Sequence, residues 1–258
     1  MGKIVTFSNR KGGTGKTTVA VNVAALLGDQ GTKCLLIDLD SQAHATVHLG
    51  LNPLSVRYSV YEALIDFLEG KRWKPELFCV VENLTVAPSN QNLAALDVEL
   101  SRVQDGELIL RDFLLEMEAS FDYLIIDTPP SLGFTTLSAL VATQYLVIPT
   151  KIDFLSGVGL AQMMELYYRV SGTLNPLICF LGIVPTFFET RTRFGREILS
   201  ELSRTFGVDK IFPPLRQDIK VMEASSHAMP VHRYAPHCRA AQDMRMIVAE
   251  MVERMKRQ

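Results

Sequence analysis

The stretch Arg10-Lys11-Gly12-Gly13-Thr14-Gly15-Lys16-Thr17-Thr18 follows a short apolar run, Lys3 to Ser8 (KIVTFS), and opens a helix-forming run, Lys16 to Gln30. Strand, glycine-rich turn and helix in that order make a phosphate loop, in which backbone N–H groups and a helix N-terminus converge on an anion. The pattern GxxxxGK[ST] is met only if Arg10 stands where the first glycine should be. The physics survives that departure. Gly12, Gly13 and Gly15 let the backbone close around phosphate oxygens, with Thr14 and Thr18 in the same cradle. Lys16 sets an ammonium against the outer phosphates, and Thr17 offers its hydroxyl to Mg²⁺.

Working outward, two acidic sites belong beside this loop. Asp127 ends the apolar run Leu124-Ile125-Ile126 and precedes Thr128-Pro129-Pro130, the place for a carboxylate that reaches Mg²⁺ from the C-terminal end of a buried strand. Asp38 and Asp40 end Ile37-Asp38-Leu39-Asp40-Ser41-Gln42, and alternation along an extended chain puts both on one side. Asp38 joins Thr17 and Asp127 as a candidate metal ligand.

The same alternation of elements continues down the chain. Cys34 to Leu39, Tyr123 to Asp127, Tyr145 to Pro149 and Leu177 to Val184 are short, nearly continuous apolar runs, the mark of parallel strands covered on both faces. Helical stretches at Lys16 to Gln30, Gly159 to Ser171 and Arg193 to Phe206 separate them. The expected fold class is α/β, a mostly parallel central sheet flanked by helices on both faces. With no internal repeat, linker or run of like charge, residues 1–258 are expected to form a single domain.

Composition agrees. The chain has 258 residues, 48% hydrophobic and 21% charged, which excludes a disordered chain, a collagenous repeat and a disulfide scaffold. The N-terminus runs straight into an apolar strand with no secretory signal, so a cytoplasmic protein is expected. Cys34, Cys79, Cys179 and Cys238 are far apart and form no CxxC pair, which reads as reduced thiols. A formal net charge of −2 means that any nucleic-acid binding has to come from a local patch.

The sequence KGGTGKTT, with its extra Lys11, resembles the deviant Walker A ATPases, the superfamily of the ParA and Soj partition proteins and the MinD regulator, and it sits closest to the ParA/Soj branch. The resemblance runs nearly end to end. Asp38-Leu39-Asp40-Ser41-Gln42-Ala43 is similar to the family's DxDPQ with Ser41 in place of proline, and Phe121 to Gly133 is similar to its Walker B region. Pro149 to Phe154 resembles PxxxE followed by an aromatic, with Asp153 for Glu. Glu189-Thr190-Arg191-Thr192 and Ile219 to His227 resemble two C-terminal motifs.

The resemblance implies a phosphate loop at 10–18, one switch at 38–43, a second at 123–133, and ATP with Mg²⁺ as cofactors. It implies that Lys11 crosses the interface of an ATP-bound homodimer to touch the partner's phosphates, and that Asp40 positions the attacking water. Pro213 and Pro214 are placed among the nucleotide contacts. It further implies nonspecific double-stranded DNA as a partner, contacted by Arg191 and Lys220, a nucleoid-associated location, and a ParB-like or other cargo adaptor that stimulates hydrolysis. Between Arg191 and Lys220 the sequence itself holds seven basic and four acidic residues, a modest patch suited to phosphate contacts.

A membrane-directed ATPase of the MinD type, which does not bind DNA, is the alternative. Met244, Ile247, Val248, Met251, Val252 and Met255 recur at helical spacing over about 240–257. That stripe lacks Phe and Trp, so a core-packing helix is expected and a membrane partner is not. An amide-forming relative of the cobyrinate type is expected to need a glutaminase domain for which this chain has no room.

Overall fold

The computed structural model describes residues 2–72, 74, 76, 78–153 and 156–258. Phe154, the aromatic of the 149–154 match, lies outside them. The strands are β1 (Lys3–Phe7), β2 (Cys34–Asp38), β3 (Cys79–Val81), β4 (Leu84–Ala87), β5 (Tyr123–Asp127), β6 (Tyr145–Lys151) and β7 (Cys179–Thr186). The helices are α1 (Lys16–Asp29), α2 (His44–His48), α3 (Val60–Leu68), α4 (Leu96–Leu100), α5 (Ile109–Met117), α6 (Phe134–Ala142), α7 (Ser156–Thr173), α8 (Arg193–Phe206), α9 (Ile219–Ser226), α10 (Val231–Tyr234) and α11 (Arg239–Lys256).

The seven strands form one sheet in the order β3-β4-β2-β5-β1-β6-β7, parallel except for the β3–β4 pair at one edge. Successive residues of the central strands point to opposite faces, and both faces are covered. Val5, Phe7, Leu36 and Ile125 pack with α1 and α11, whereas Ile4, Leu35, Ile37, Leu124 and Ile126 pack with α3 and α5. That is why the strand sequences are apolar throughout instead of alternating.

α11 turns its apolar stripe inward: Met244, Ile247, Val248, Met251 and Met255 are all buried in the cluster that includes α1. Each fully buried side chain of this size contributes about 1.5–3 kcal/mol. Arg254 of the same helix is also buried. Its guanidinium donates to the Leu181 and Ile211 carbonyls at 3.2 and 2.8 Å and stacks 4.0 Å from the Phe212 ring. No described helix is long and apolar enough to cross a membrane.

Two boundaries differ from the sequence pattern in ways that matter for the site. The last strand begins at Cys179, because Leu177 is left exposed beside Asn175-Pro176, and it runs on through Pro185 to Thr186. There the Thr186 hydroxyl donates to the Thr14 carbonyl at 2.8 Å, which ties the end of β7 to the phosphate loop. The second strand stops at Asp38.

Candidate nucleotide site

The loop between β1 and α1 lies at the C-terminal end of the sheet, where the neighbours of β1 are β5 and β6, a position at which open parallel sheets bind ligands. Gly13 and Gly15 adopt φ of 69° and 81°, which glycine reaches without steric cost. Gly12, Gly13, Thr14, Gly15, Lys16, Thr17 and Thr18 line a cavity of about 490 Å³ together with Asp40, Gln42, His44, His48, Pro130, Phe187 and Ser225.

Lys16 is 7% exposed. Burial pulls its ammonium below the ordinary lysine range, and the charges of Asp127 and Asp40 partly restore it. Asp127 is fully buried, and neither of its oxygens closes a hydrogen bond. Burial, reinforced by the charge of Asp38, raises its carboxyl well above the usual range, while Thr17 and Lys16 favour the charged form. A buried carboxylate with unpartnered oxygens beside a threonine hydroxyl fits a hard divalent cation. Among the described residues no three His, Cys, Asp or Glu side chains cluster as a metal cage, and Mg²⁺ bound with phosphates needs only one or two protein ligands.

Asp38 and Asp40 do not reach the site by strand alternation. The chain turns at Asp38, whose Oδ1 accepts from the Asp40 N–H at 3.1 Å. Its Oδ2 accepts from the Thr46 N–H and hydroxyl at 2.8 and 2.7 Å, so both oxygens organise the 38–46 loop. Burial raises Asp38 to about 6, against those hydrogen bonds. Asp40, 6% exposed, is the acid that lines the cavity, and its Oδ2 lies 3.7 Å from His44 Nδ1. His48 is also buried with its Nε2 unpartnered, and burial holds its imidazole below the usual range.

A second cavity of about 520 Å³ adjoins the first. It is lined by Gly15, Thr18, Thr186, Phe187 and the segment Leu215-Arg216-Gln217-Asp218-Ile219, with Val221, Met222, Ser225 and Ser226. Pro213 and Pro214 are half-buried and do not line it. The residues that follow them do.

Lys11 is absent from its own phosphate cavity and instead pairs with Asp153 and Ser156. Among the described residues, the cavity that Arg191 lines does not include Lys220. Arg191 shares that cavity, of about 340 Å³, with Glu189, Arg216, Gln217 and Arg239, and Arg216 is pinned to Asp243 at 2.7 Å. Lys220 is paired with Glu223 at 2.6 Å. His44, His48 and Phe187 were not singled out from the sequence. The two histidines carry a readable signal, i,i+4 spacing just after Asp40; Phe187 carries none.

A family model described as an AAA domain matches residues 2–180. The chain is 35% identical to the chromosome-partitioning ATPase Soj of Treponema pallidum, over 98% of each chain. It is 35% identical to the sporulation initiation inhibitor protein Soj of Bacillus subtilis, over 94% of this chain and 95% of that one. A solved structure of cobyrinic acid a,c-diamide synthase from Mycobacterium smegmatis with bound ATP analog and magnesium superposes with a TM-score of 0.87, at 28% identity, covering 99% of this chain and 96% of that one. A chain of matching length bears that description, so size does not separate the amide-forming reading from the partition reading.

Proposed function

This chain belongs to the Soj/ParA family of chromosome-partitioning ATPases, and from that premise we propose that it is a Mg²⁺-dependent ATP switch whose ATP-bound homodimer holds nonspecific DNA. A ParB-like or other cargo adaptor stimulates hydrolysis and releases it. The observation that carries this reading is the convergence of Lys16, Asp40 and the unpartnered Asp127 on one glycine-rich loop.

In this reading the N–H groups of residues 12–18 and the Lys16 ammonium hold the triphosphate. Thr17 and Asp127 would hold Mg²⁺, which would supply positive charge against the outer phosphates. Asp38 keeps the 38–46 loop folded through Thr46, and Asp40 orients water toward the last phosphate. Lys11 leaves Asp153 and enters the partner's site, which makes the complete charge array a property of the dimer. Arg191 and Lys220 contact DNA phosphates, and the protein is nucleoid-associated. The membrane alternative loses its support in α11, whose apolar face is already covered.

Cosedimentation with random-sequence duplex and, in parallel, with anionic liposomes tests this, each with ATP, ADP and no nucleotide. ATP-dependent pelleting with DNA alone is expected. Pelleting with liposomes alone would replace this reading by the membrane-directed one. ATP turnover that requires ammonia or glutamine and a carboxylate acceptor would replace it by amide formation.

A further inference from the structure

Four described residues line both cavities of the site: Gly15, Thr18, Phe187 and Ser225. Three are small, so the Phe187 ring is the one large side chain at the junction. A nucleotide with its phosphates in the loop and its nucleoside in the neighbouring cavity has to pass this ring.

The backbone there is unusual. Phe187 has φ of 53°, a left-handed conformation that is a genuine outlier for a bulky residue and persists only where the surroundings over-determine it. They do so here. On one side, Ile152 N–H donates to the Thr186 carbonyl at 3.1 Å and the Thr186 hydroxyl holds the phosphate loop. On the other, Phe188 N–H donates to the Leu215 carbonyl at 3.0 Å and Gln217 N–H to the Phe188 carbonyl at 3.2 Å. Core packing does not account for the strain, because Phe187 is 42% exposed. Its ring closes over Gly15 instead, where any side chain would touch it, and Lys151 Nζ stands 5.5 Å from its centroid.

We propose that Phe187 is the nucleoside-positioning residue of the site: its ring packs on the nucleoside next to the phosphates, and the left-handed backbone exists to aim it there. This rests on the nucleotide reading above. The contact is apolar, so it favours a nucleoside-bearing ligand over a bare polyphosphate.

Phe187→Gly and Phe187→Ala both delete the ring, but only glycine relieves the backbone. Calorimetric titration with ADP and with inorganic pyrophosphate, beside thermal melting of the ligand-free proteins, separates these effects. Both variants are expected to bind ADP about tenfold more weakly and pyrophosphate as the parent does. Phe187→Gly is expected to melt about 2–4 °C above Phe187→Ala. Parental ADP affinity in both variants would overturn the proposal, as would equal losses for ADP and pyrophosphate, which would mean a disturbed phosphate loop. A parent that binds neither ligand would instead overturn the nucleotide reading itself.

Discussion

Lys11 Nζ lies 2.8 and 2.9 Å from the two carboxylate oxygens of Asp153, with the Ser156 hydroxyl 3.2 Å away. The loop's first lysine is therefore tied to the start of α7 and not to its own phosphate cavity. Burial opposes the charge on Asp153, but hydrogen bonds from Lys11 and Ser156 outweigh it and hold the carboxyl below its ordinary range. Any action of Lys11 on a partner's phosphates has to exchange this contact.

Asp153→Asn weakens the contact that holds Lys11 back. The pair is 27% and 29% exposed, so its loss shifts the balance by about 1 kcal/mol. Both protomers lose the contact when the dimer forms, about 2 kcal/mol together, so the ATP-bound dimer of this variant is expected to be about thirtyfold tighter than the parent's. Sedimentation over a concentration series reads the constant, and a weaker dimer would show that Asp153 supports the trans position of Lys11.

DNA affinity should respond to salt in steps. Each phosphate contact removed lowers the slope of log K against log salt by about 0.9. In a homodimer each substitution removes a contact from both protomers, so Arg191→Ala is expected to lower the slope by about 1.8 and Arg191→Ala with Lys220→Ala by about 3.6. Arg193→Ala is the control: Arg193 is paired with Glu197 at 2.7 Å just as Lys220 is paired with Glu223 at 2.6 Å, so a slope that falls with Lys220→Ala and not with Arg193→Ala assigns the contact to position and not to the loss of a paired cation.

Acid sensitivity is expected where α1 meets α10. Asp29 accepts from Arg233 at 2.6 and 2.9 Å and lies 2.8 Å from His232 Nε2. Arg233 first, then His232 and Asn83, outweigh burial and pull its carboxyl well below the unfolded value of 3.8. The unfolded chain thus binds more protons below that value. The pair's contribution is complete above it and is lost as pH falls through the folded pKa. Asp29→Asn should cost about 1.5–3 kcal/mol at pH 7 by chemical denaturation, and the difference from the parent should shrink below about pH 4.

Much of the site was legible in the sequence because the phosphate loop is contiguous and its glycines, lysines and threonines announce their chemistry locally. The position of Asp127 at the buried end of β5 was legible as well, since Leu124-Ile125-Ile126 reads as a covered strand. Arg193 to Phe206 emerged as a helix with the expected ends. What stayed hidden depends on tertiary placement. The turn at Asp38 replaces strand alternation because Thr46, eight residues on, captures the carboxylate. Lys11 and Asp153 meet across 142 residues. The Phe187 backbone angle comes from hydrogen bonds on both sides of it, and the antiparallel β3–β4 edge is built from runs of three and four residues, too short to announce themselves.

ATP is expected to assemble a dimer through Lys11. Sedimentation velocity with ATP and Mg²⁺ on the parent, Asp40→Ala and Lys11→Gln tests it in one measurement. Asp40→Ala is expected to remain dimeric, because it keeps the triphosphate unhydrolysed. Lys11→Gln should bind nucleotide and stay monomeric, and a Lys11→Gln protein that dimerises with ATP as the parent does would contradict the account.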